Sequence, residues 1–306
     1  MSRPPGSFLV VGEALVDVVE DPSGRRAEHP GGSPLNVAVG LARLGRRVDL
    51  ATWFGPDERG EALARHLDAD GVGLTPGSRR AGRTSTATAH LDTTGQARYT
   101  FDLDWSPGPP TLSRQYLHVH TGSLGIAVEP GRHSALTALR RARASTTTSV
   151  DPNVRPDVLG DPATGLAVVE QAVALADVVK ASDEDLAWLG GDDPLHLARR
   201  WLGMGPALVV VTRGEDGAVA LTAAGGRVEV PAVATTVVDT VGAGDAFTSG
   251  LLDGLADAGL LGAGLRGEIA RIEAARLETV LSRAARVAAL TVARPGADPP
   301  RREDLG

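Results

Sequence analysis

The chain contains no cysteine, which excludes disulfides and thiolate metal ligands. Aromatic residues make up only 3% and the net charge is −7. Nucleic acid calls for basic grooves and stacking rings, so it is excluded as a partner. No apolar run approaches the ~20 residues that cross a bilayer. Phe8 to Val11, preceded only by Arg3, is too short for the core of a signal peptide. No membrane partner is expected, and a cytoplasmic location is. Lysine is scarcest of the common charged residues: Lys180 stands alone in a chain that otherwise uses arginine. Either a compact ammonium is wanted at that place or it is a stray surface residue.

What is present fits one large α/β domain with a small appendage, or two domains, at 306 residues. Ser7 to Val11 reads as a buried strand, and Leu15 to Val19 continues extended into the turn Asp21-Pro22-Ser23-Gly24. Arg26 to His29 can pair back on it as a hairpin. Ser33 and Pro34 suit the N-cap and first position of a helix with an apolar stripe at Leu35, Ala38, Val39 and Ala42, ended by Gly45. Val48 to Trp53 is a strand and Glu58 to Leu67 a helix. Thr84 to Leu91 and Ala97 to Leu103 form a hairpin across Asp92-Thr93-Thr94-Gly95. Strands at 116–120, 148–150, 178–180 and 208–212 alternate with helices at 132–144, 164–175, 183–189 and 195–202. That alternation predicts a mostly parallel sheet with helices on both faces. The two hairpin-like stretches break the rhythm and read as a small inserted β layer.

Chemistry concentrates at strand exits. Ala232 to Val238 is an extended apolar run, Ala246 to Ala258 is helix-prone, and Gly242-Ala243-Gly244 lies between them. A helix start offers unpartnered N–H groups and the positive end of a dipole, which bind phosphate oxygens. Asp245 in its first turn places a carboxylate beside the anion pocket. Phosphoryl transfer to an alcohol requires both parts, although a capping Asp at a helix start is the ordinary alternative. Asp151-Pro152-Asn153-Val154-Arg155-Pro156 follows a strand, and Arg155 can contact a phosphate or substrate. Asp17, with Gly31, Gly32 and Asn36 at a helix start, could hold sugar hydroxyls. His118 and His120 share a strand face without a third ligand, and so read as core residues rather than a metal pair.

The string Val238 to Phe247 resembles the signature of the ribokinase-like (PfkB) family of sugar kinases. Gly12-Glu13-Ala14-Leu15-Val16-Asp17 and Gly31-Gly32-Ser33-Pro34-Leu35-Asn36 resemble its amino-terminal signature, notably in the fructokinase branch. The likeness runs from Gly12 to Ala297 and implies one ribokinase-like α/β domain over residues 1–306. A lid would be built from about 13–32 and 84–104, and often doubles as a homodimer surface. It implies that Asp245 is the catalytic base, with Gly242, Ala243 and Gly244 as the anion loop. Asp17, Gly32 and Asn36 would hold the sugar, with Gly31 and Arg155 beside them. Lys180, Ser182 and Thr212-Arg213-Gly214-Glu215-Asp216-Gly217 would serve ATP. Family members carry Asn and Glu where this chain has Ser182 and Asp185, so Asp185 would serve Mg2+ through water. Asp239, Val241 and Gly296 match residues that hold a monovalent cation, K+, in some relatives.

Three sugars fit this resemblance: fructose first, then 2-keto-3-deoxygluconate and ribose. A sugar- or nucleotide-binding regulator without turnover is the rival from another class, and the intact Asp245 and anion loop speak against it. A nicotinamide oxidoreductase would need Gly-x-Gly-x-x-Gly after the first strand, and Val11-Gly12-Glu13-Ala14-Leu15 lacks it.

Overall fold

Short branched apolar runs bounded by polar turns fold here as buried strands, and the amphipathic stretches between them as helices that cover both faces. A computed structural model describes residues 6–92, 97–112, 116–191 and 193–306. In chain order the first half comprises β1 (Ser7–Val11), β2 (Leu15–Glu20), β3 (Arg26–Gly31), α1 (Ser33–Arg43), β4 (Val48–Ala51), α2 (Glu58–Ala69), β5 (Gly73–Leu74), β6 (Thr86–Leu91) and β7 (Ala97–Asp102). Then follow β8 (Tyr116–Gly122), α3 (Leu124–Ala127), α4 (Gly131–Ala142), β9 (Thr147–Asp151), α5 (Pro156–Leu159), α6 (Pro162–Val173), β10 (Val178–Ser182), α7 (Asp183–Gly190) and α8 (Pro194–Leu202). The last third holds β11 (Leu208–Thr212), β12 (Ala218–Thr222), β13 (Arg227–Val230), α9 (Ala243–Asp257), α10 (Arg266–Ala270) and α11 (Ala274–Val292).

Nine strands form the large sheet in the order β13-β12-β11-β10-β9-β8-β1-β4-β5. It is parallel from β11 to β5, and β12 and β13 close one end antiparallel. Alternation along β1 divides its side chains between two cores. Phe8 and Val10 join Leu50, Leu252 and Leu281 on the side of α9 and α11. Leu9 and Val11 join Val119, Leu139 and Trp201 on the side of α4 and α8. The chain leaves β1 for β4 on one side and later adds β8 and β9 on the other. The direction of winding therefore reverses at β1, and a crevice opens at the carboxyl ends of the strands there. A separate four-stranded sheet, ordered β3-β2-β6-β7, is made from the two early hairpin-like stretches. The expected hairpin turn at residues 93–95 lies outside the described residues. Among the described residues no helix is long and apolar enough to cross a membrane.

Three local expectations are corrected. β4 stops at Ala51 instead of reaching Trp53, because Phe54 N–H turns away to the Ser78 carbonyl (2.9 Å). Ser33 is not the N-cap of α1. Gly32 takes that position, and the Ser33 hydroxyl is used elsewhere. Residues 232–238 form no strand: Val238 N–H donates to the Val292 carbonyl at the end of α11 (2.8 Å), and Val233, Val237 and Val238 are exposed.

The helix α9 is fixed from behind by ions. Asp253, wholly buried, accepts from Arg46 (2.6 Å), Arg283 (2.8 Å) and Arg302 (2.6 Å). These arginines come from the loop before β4, from α11 and from the carboxyl-terminal segment, so three distant stretches meet on one helix.

Candidate active site

The anion loop forms as its sequence requires. Gly242 caps α9 with φ 76°, a left-handed conformation, and a Cβ there would stand 2.6 Å from the Ala297 side chain. Only glycine meets both conditions. The first turn of the 15-residue α9 then carries the positive end of the helix dipole, with Asp245 in it.

Asp245 is buried, and two residues of α1 orient it. Ser33 Oγ donates to Oδ1 (2.6 Å) and Asn36 Nδ2 donates to Oδ2 (2.8 Å). Burial pushes its carboxyl above the usual carboxylate range; the bonds from Ser33 and Asn36 and the nearby Lys180 oppose that, while Asp151 adds to it. The opening of the α1 signature thus reaches more than 200 residues along the chain to set the base.

Lys180 is not a stray surface residue. It is buried in the middle of β10, where Nζ donates to Asp151 Oδ2 (3.0 Å). Thr248 Oγ1 on α9 donates to the same oxygen (3.0 Å). A Cβ placed on Gly244 would stand 2.9 Å from Nζ, so the ammonium lies directly against the anion loop. Burial alone would lower the Lys180 pKa, but Asp151 and Asp185 outweigh it and hold the group cationic, above its ordinary value.

Asp185 and Ser182 form a capping box at the start of α7: Asp185 N–H donates to Ser182 Oγ (3.0 Å) and Ser182 N–H to Asp185 Oδ2 (3.3 Å). The other oxygen, Oδ1, accepts from Val154 N–H (2.9 Å), so Asp185 also anchors the loop after β9. Burial and the proximity of Asp151 raise its pKa. On that loop Arg155 is exposed, with Nη1 donating to Asn153 Oδ1 (2.8 Å).

The small sheet brings Asp17 to the same place. Asp17 lies on β2 opposite His29, and Gly31 leaves room for it, since a Cβ there would fall 1.9 Å from Asp17 Oδ2. Burial raises its pKa to about 6; Arg155 and His29 pull down, and Asp245 pushes up. Arg155 and Asp245, from two other parts of the chain, therefore both act on Asp17 across the crevice.

The remaining expected residues fall into two groups. Thr212 ends β11 in register with Ser182, and Gly214 and Gly217 form the tight turn into β12, closed by Arg213 N–H to the Gly217 carbonyl (2.8 Å). Asp239 joins Val241 and Gly296, accepting Val241 N–H on Oδ1 (3.0 Å) and Gly296 N–H on Oδ2 (2.8 Å). His118 and His120 are core residues that share Ser149 Oγ (2.7 and 2.8 Å); burial drives His118 well below the ordinary histidine value and His120 to about 3. No cluster of three or more metal-ligating side chains occurs among the described residues.

Sequence reasoning missed four contributors: Asp151, Thr248, the Ser33 hydroxyl and Glu13. Asp151 had a signal, being the acid that ends a buried strand beside the strand of the lone lysine. Thr248 and Ser33 had none, because their partners are 97 and 212 residues away.

An anion loop with a buried acid in its first turn, faced by a second carboxylate on a small sheet, defines a kinase for small hydroxylated molecules. The particular family follows from comparison: residues 6–304 match the model described as pfkB family carbohydrate kinase, and the chain belongs to that family. It is 39% identical over 268 residues to a fructokinase of Klebsiella pneumoniae, covering 83% of this chain and 86% of that one. The ATP-bound fructokinase structure from Xylella fastidiosa superposes with a TM-score of 0.83 at 28% identity, covering 95% and 93% of the two chains. A Vibrio cholerae fructokinase double mutant with fructose, ADP and potassium ion bound gives 0.80 at 30%, covering 96% and 95%.

Proposed function

We propose that this chain is a fructokinase, transferring the γ-phosphoryl group of ATP to a primary hydroxyl of fructose. The observation that carries the reading is the convergence of Asp245, held by Ser33 and Asn36, with Lys180 at the anion loop and Asp17 across the crevice. Asp17, Gly31, Gly32 and Arg155 hold the sugar, and the Lys180–Asp185 and Thr212–Gly217 segments hold ATP. A carboxylate of ordinary pKa ~3.9 cannot strip an alcohol beforehand. Asp245 takes the proton as the oxygen attacks, while the first turn of α9 and the Lys180 ammonium stabilise the charge on the moving group. Burial helps here, because a raised carboxyl pKa makes Asp245 a stronger base.

The fit to magnesium is indirect. Both Asp185 oxygens already accept backbone N–H groups, and no three-ligand acidic cage exists among the described residues. Magnesium would arrive on the ATP phosphates, keep its waters and touch Asp185 through one of them, neutralising phosphate charge. Potassium would sit by Asp239, Val241 and Gly296. In this reading the small sheet is a lid that excludes water during transfer. A homodimer contact through that lid would cover the exposed Tyr99 on β7.

The test is an ADP-release assay with ATP and a panel of fructose, ribose and 2-keto-3-deoxygluconate. Fructose is expected to give the highest kcat/KM. Another sugar ahead by about tenfold (~1.4 kcal/mol of transition-state binding) would overturn the fructose assignment and leave the kinase reading standing.

A further inference from the structure

Four stretches of chain connect the small sheet to the rest of the fold, and two of them meet at one point. One is the link Gly12-Glu13-Ala14 between β1 and β2, and the other is Gly31-Gly32 between β3 and α1. Asp17 stands only four residues beyond Glu13, so the path of this link decides where Asp17 points. A side chain that crosses from the link to the body of the protein would set that path, and Glu13 does so.

Glu13 is 4% exposed. Its Oε2 accepts the Gly125 N–H (2.9 Å), and the Ser123 side chain and its own backbone N–H lie close enough to favour the ionised carboxyl. Ser123 and Gly125 belong to the sharp turn from β8 into α3, where Ser123 has φ 49°, a left-handed conformation costly for a residue with a Cβ. Ser123 N–H in turn donates to the carbonyl of Asp151 (3.1 Å), the residue that binds Lys180 and Thr248. The turn also builds the floor beneath the small sheet, since Leu124 packs with Leu15 and Ala87. The second link is pressed against the same point: a Cβ on Gly32 would stand 2.8 Å from the Glu13 carbonyl oxygen.

We propose that Glu13 is a positioning residue for sugar binding, fastening the junction of the two sheets to the Ser123–Gly125 turn so that Asp17 is held facing Asp245. This rests on the kinase reading above. Nothing here places Glu13 on the substrate: its carboxyl is enclosed by groups of the protein itself, and Arg155 also favours its ionised form. Burial raises its pKa to about 7, against the pull of its own N–H, Ser123, Gly125 and Arg155. A buried carboxyl in such surroundings is costly, and a positioning role accounts for its presence where an apolar side chain would pack more cheaply.

The test compares Glu13→Ala, Glu13→Asp and Glu13→Gln with the wild type by steady-state kinetics, and by hydrogen exchange of the amides at 12–18 and 123–126. Alanine removes the crossing, aspartate keeps the charge but is one methylene short, and glutamine keeps the reach. Alanine and aspartate are expected to raise the KM for fructose at least about tenfold with the KM for ATP within about twofold. Exchange at Gly125 should quicken, and glutamine should return both quantities to within about threefold of wild type. If the alanine variant does not fold, the contrast of aspartate with glutamine carries the same test. An unchanged fructose KM in a folded aspartate variant would overturn the proposal. So would equal losses for both substrates, which mark a merely structural role. An inactive wild type would instead sink the kinase reading, and the exchange comparison would still decide whether Glu13 fastens the turn.

Discussion

Asp17 offers the sharpest test of the site because its environment makes a numerical demand. Its pKa is raised from 3.8 to about 6, mainly by burial, with Asp245 adding to the rise and Arg155 and His29 opposing it. As the acceptor of a sugar hydroxyl, Asp17 works in its ionised form. With a pKa of about 6, roughly nine-tenths is ionised at pH 7 and roughly one-tenth at pH 5. Fructose affinity should then fall about tenfold over those two pH units. An aspartate of ordinary pKa would lose almost nothing in the same interval, so the two cases separate cleanly.

The direction for stability is opposite. A carboxyl whose pKa is raised on folding contributes stability that is fully present below pH 3.8 and is lost as pH rises through about 6. Acidification therefore favours the unliganded fold through this group while it weakens the sugar complex. The assay is calorimetric titration of fructose in the presence of ADP, which involves no turnover and so keeps the basicity of Asp245 out of the rate. Thermal shift by fructose should shrink in parallel below about pH 6. Asp17→Asn should bind fructose roughly 10- to 150-fold more weakly at pH 7, since a hydrogen bond to a charged group contributes about 1.5–3 kcal/mol, and its affinity should no longer fall below pH 6. A wild-type affinity that stays flat between about pH 5 and pH 7, or an acid limb that survives in Asp17→Asn, would refute the reasoning.

Two further outcomes follow from the same geometry. Asp245→Asn keeps the volume and the Asn36 contact, with the Ser33 hydroxyl turning to accept from the new amide, but removes the base; kcat should drop at least ~10²-fold with the KM for ATP within about twofold, and a variant above a tenth of wild-type rate would remove Asp245 from the role. Asp253→Ala removes the buried one of the two carboxylates that Arg46, Arg283 and Arg302 share behind α9, leaving them only the partly exposed Asp257. Breaking a buried pair costs about 3 kcal/mol at the low end, which corresponds to a fall in Tm of roughly 6–12 °C at about 2–4 °C per kcal/mol, while the fructose KM holds; a Tm within about 2 °C of wild type would show the network to be dispensable.

The parts of this site that were legible in the sequence are those whose chemistry is local. Gly242 to Asp245 is read from adjacent residues because a left-handed cap, a helix start and an acid in the first turn are all properties of one short string. The alternation of strands and helices is equally local, and the large sheet follows it. The small sheet was visible as a break in that rhythm, and its strands fall within 15–31 and 86–102. The errors are also local in form but had distant causes. Ser33 has the composition of an N-cap, yet its hydroxyl is drawn to Asp245, and the flanking Gly32 can cap without it. Residues 232–238 have the pattern of a strand, yet their partner is the end of α11 rather than a sheet edge. α10 and most of α11 went unread before the structure, because no motif marks them.

Lys180 shows how far a single-residue anomaly can be carried. Its isolation among arginines distinguished two cases, a required ammonium and a stray surface residue, without deciding between them. The deciding facts are burial, the 3.0 Å bond to Asp151 and contact with the anion loop, and each depends on residues 29 or more positions away. A planar guanidinium in that space would need five N–H donors satisfied around one carboxylate oxygen and a helix start. The ammonium needs only three, and Asp151 with the nearby Asp185 charge keeps it protonated despite burial. Asp151 also raises the cost of ionising Asp185. Lys180 thus offsets the acids at the head of the sheet, and the acids fix the lysine where an incoming phosphate would meet it.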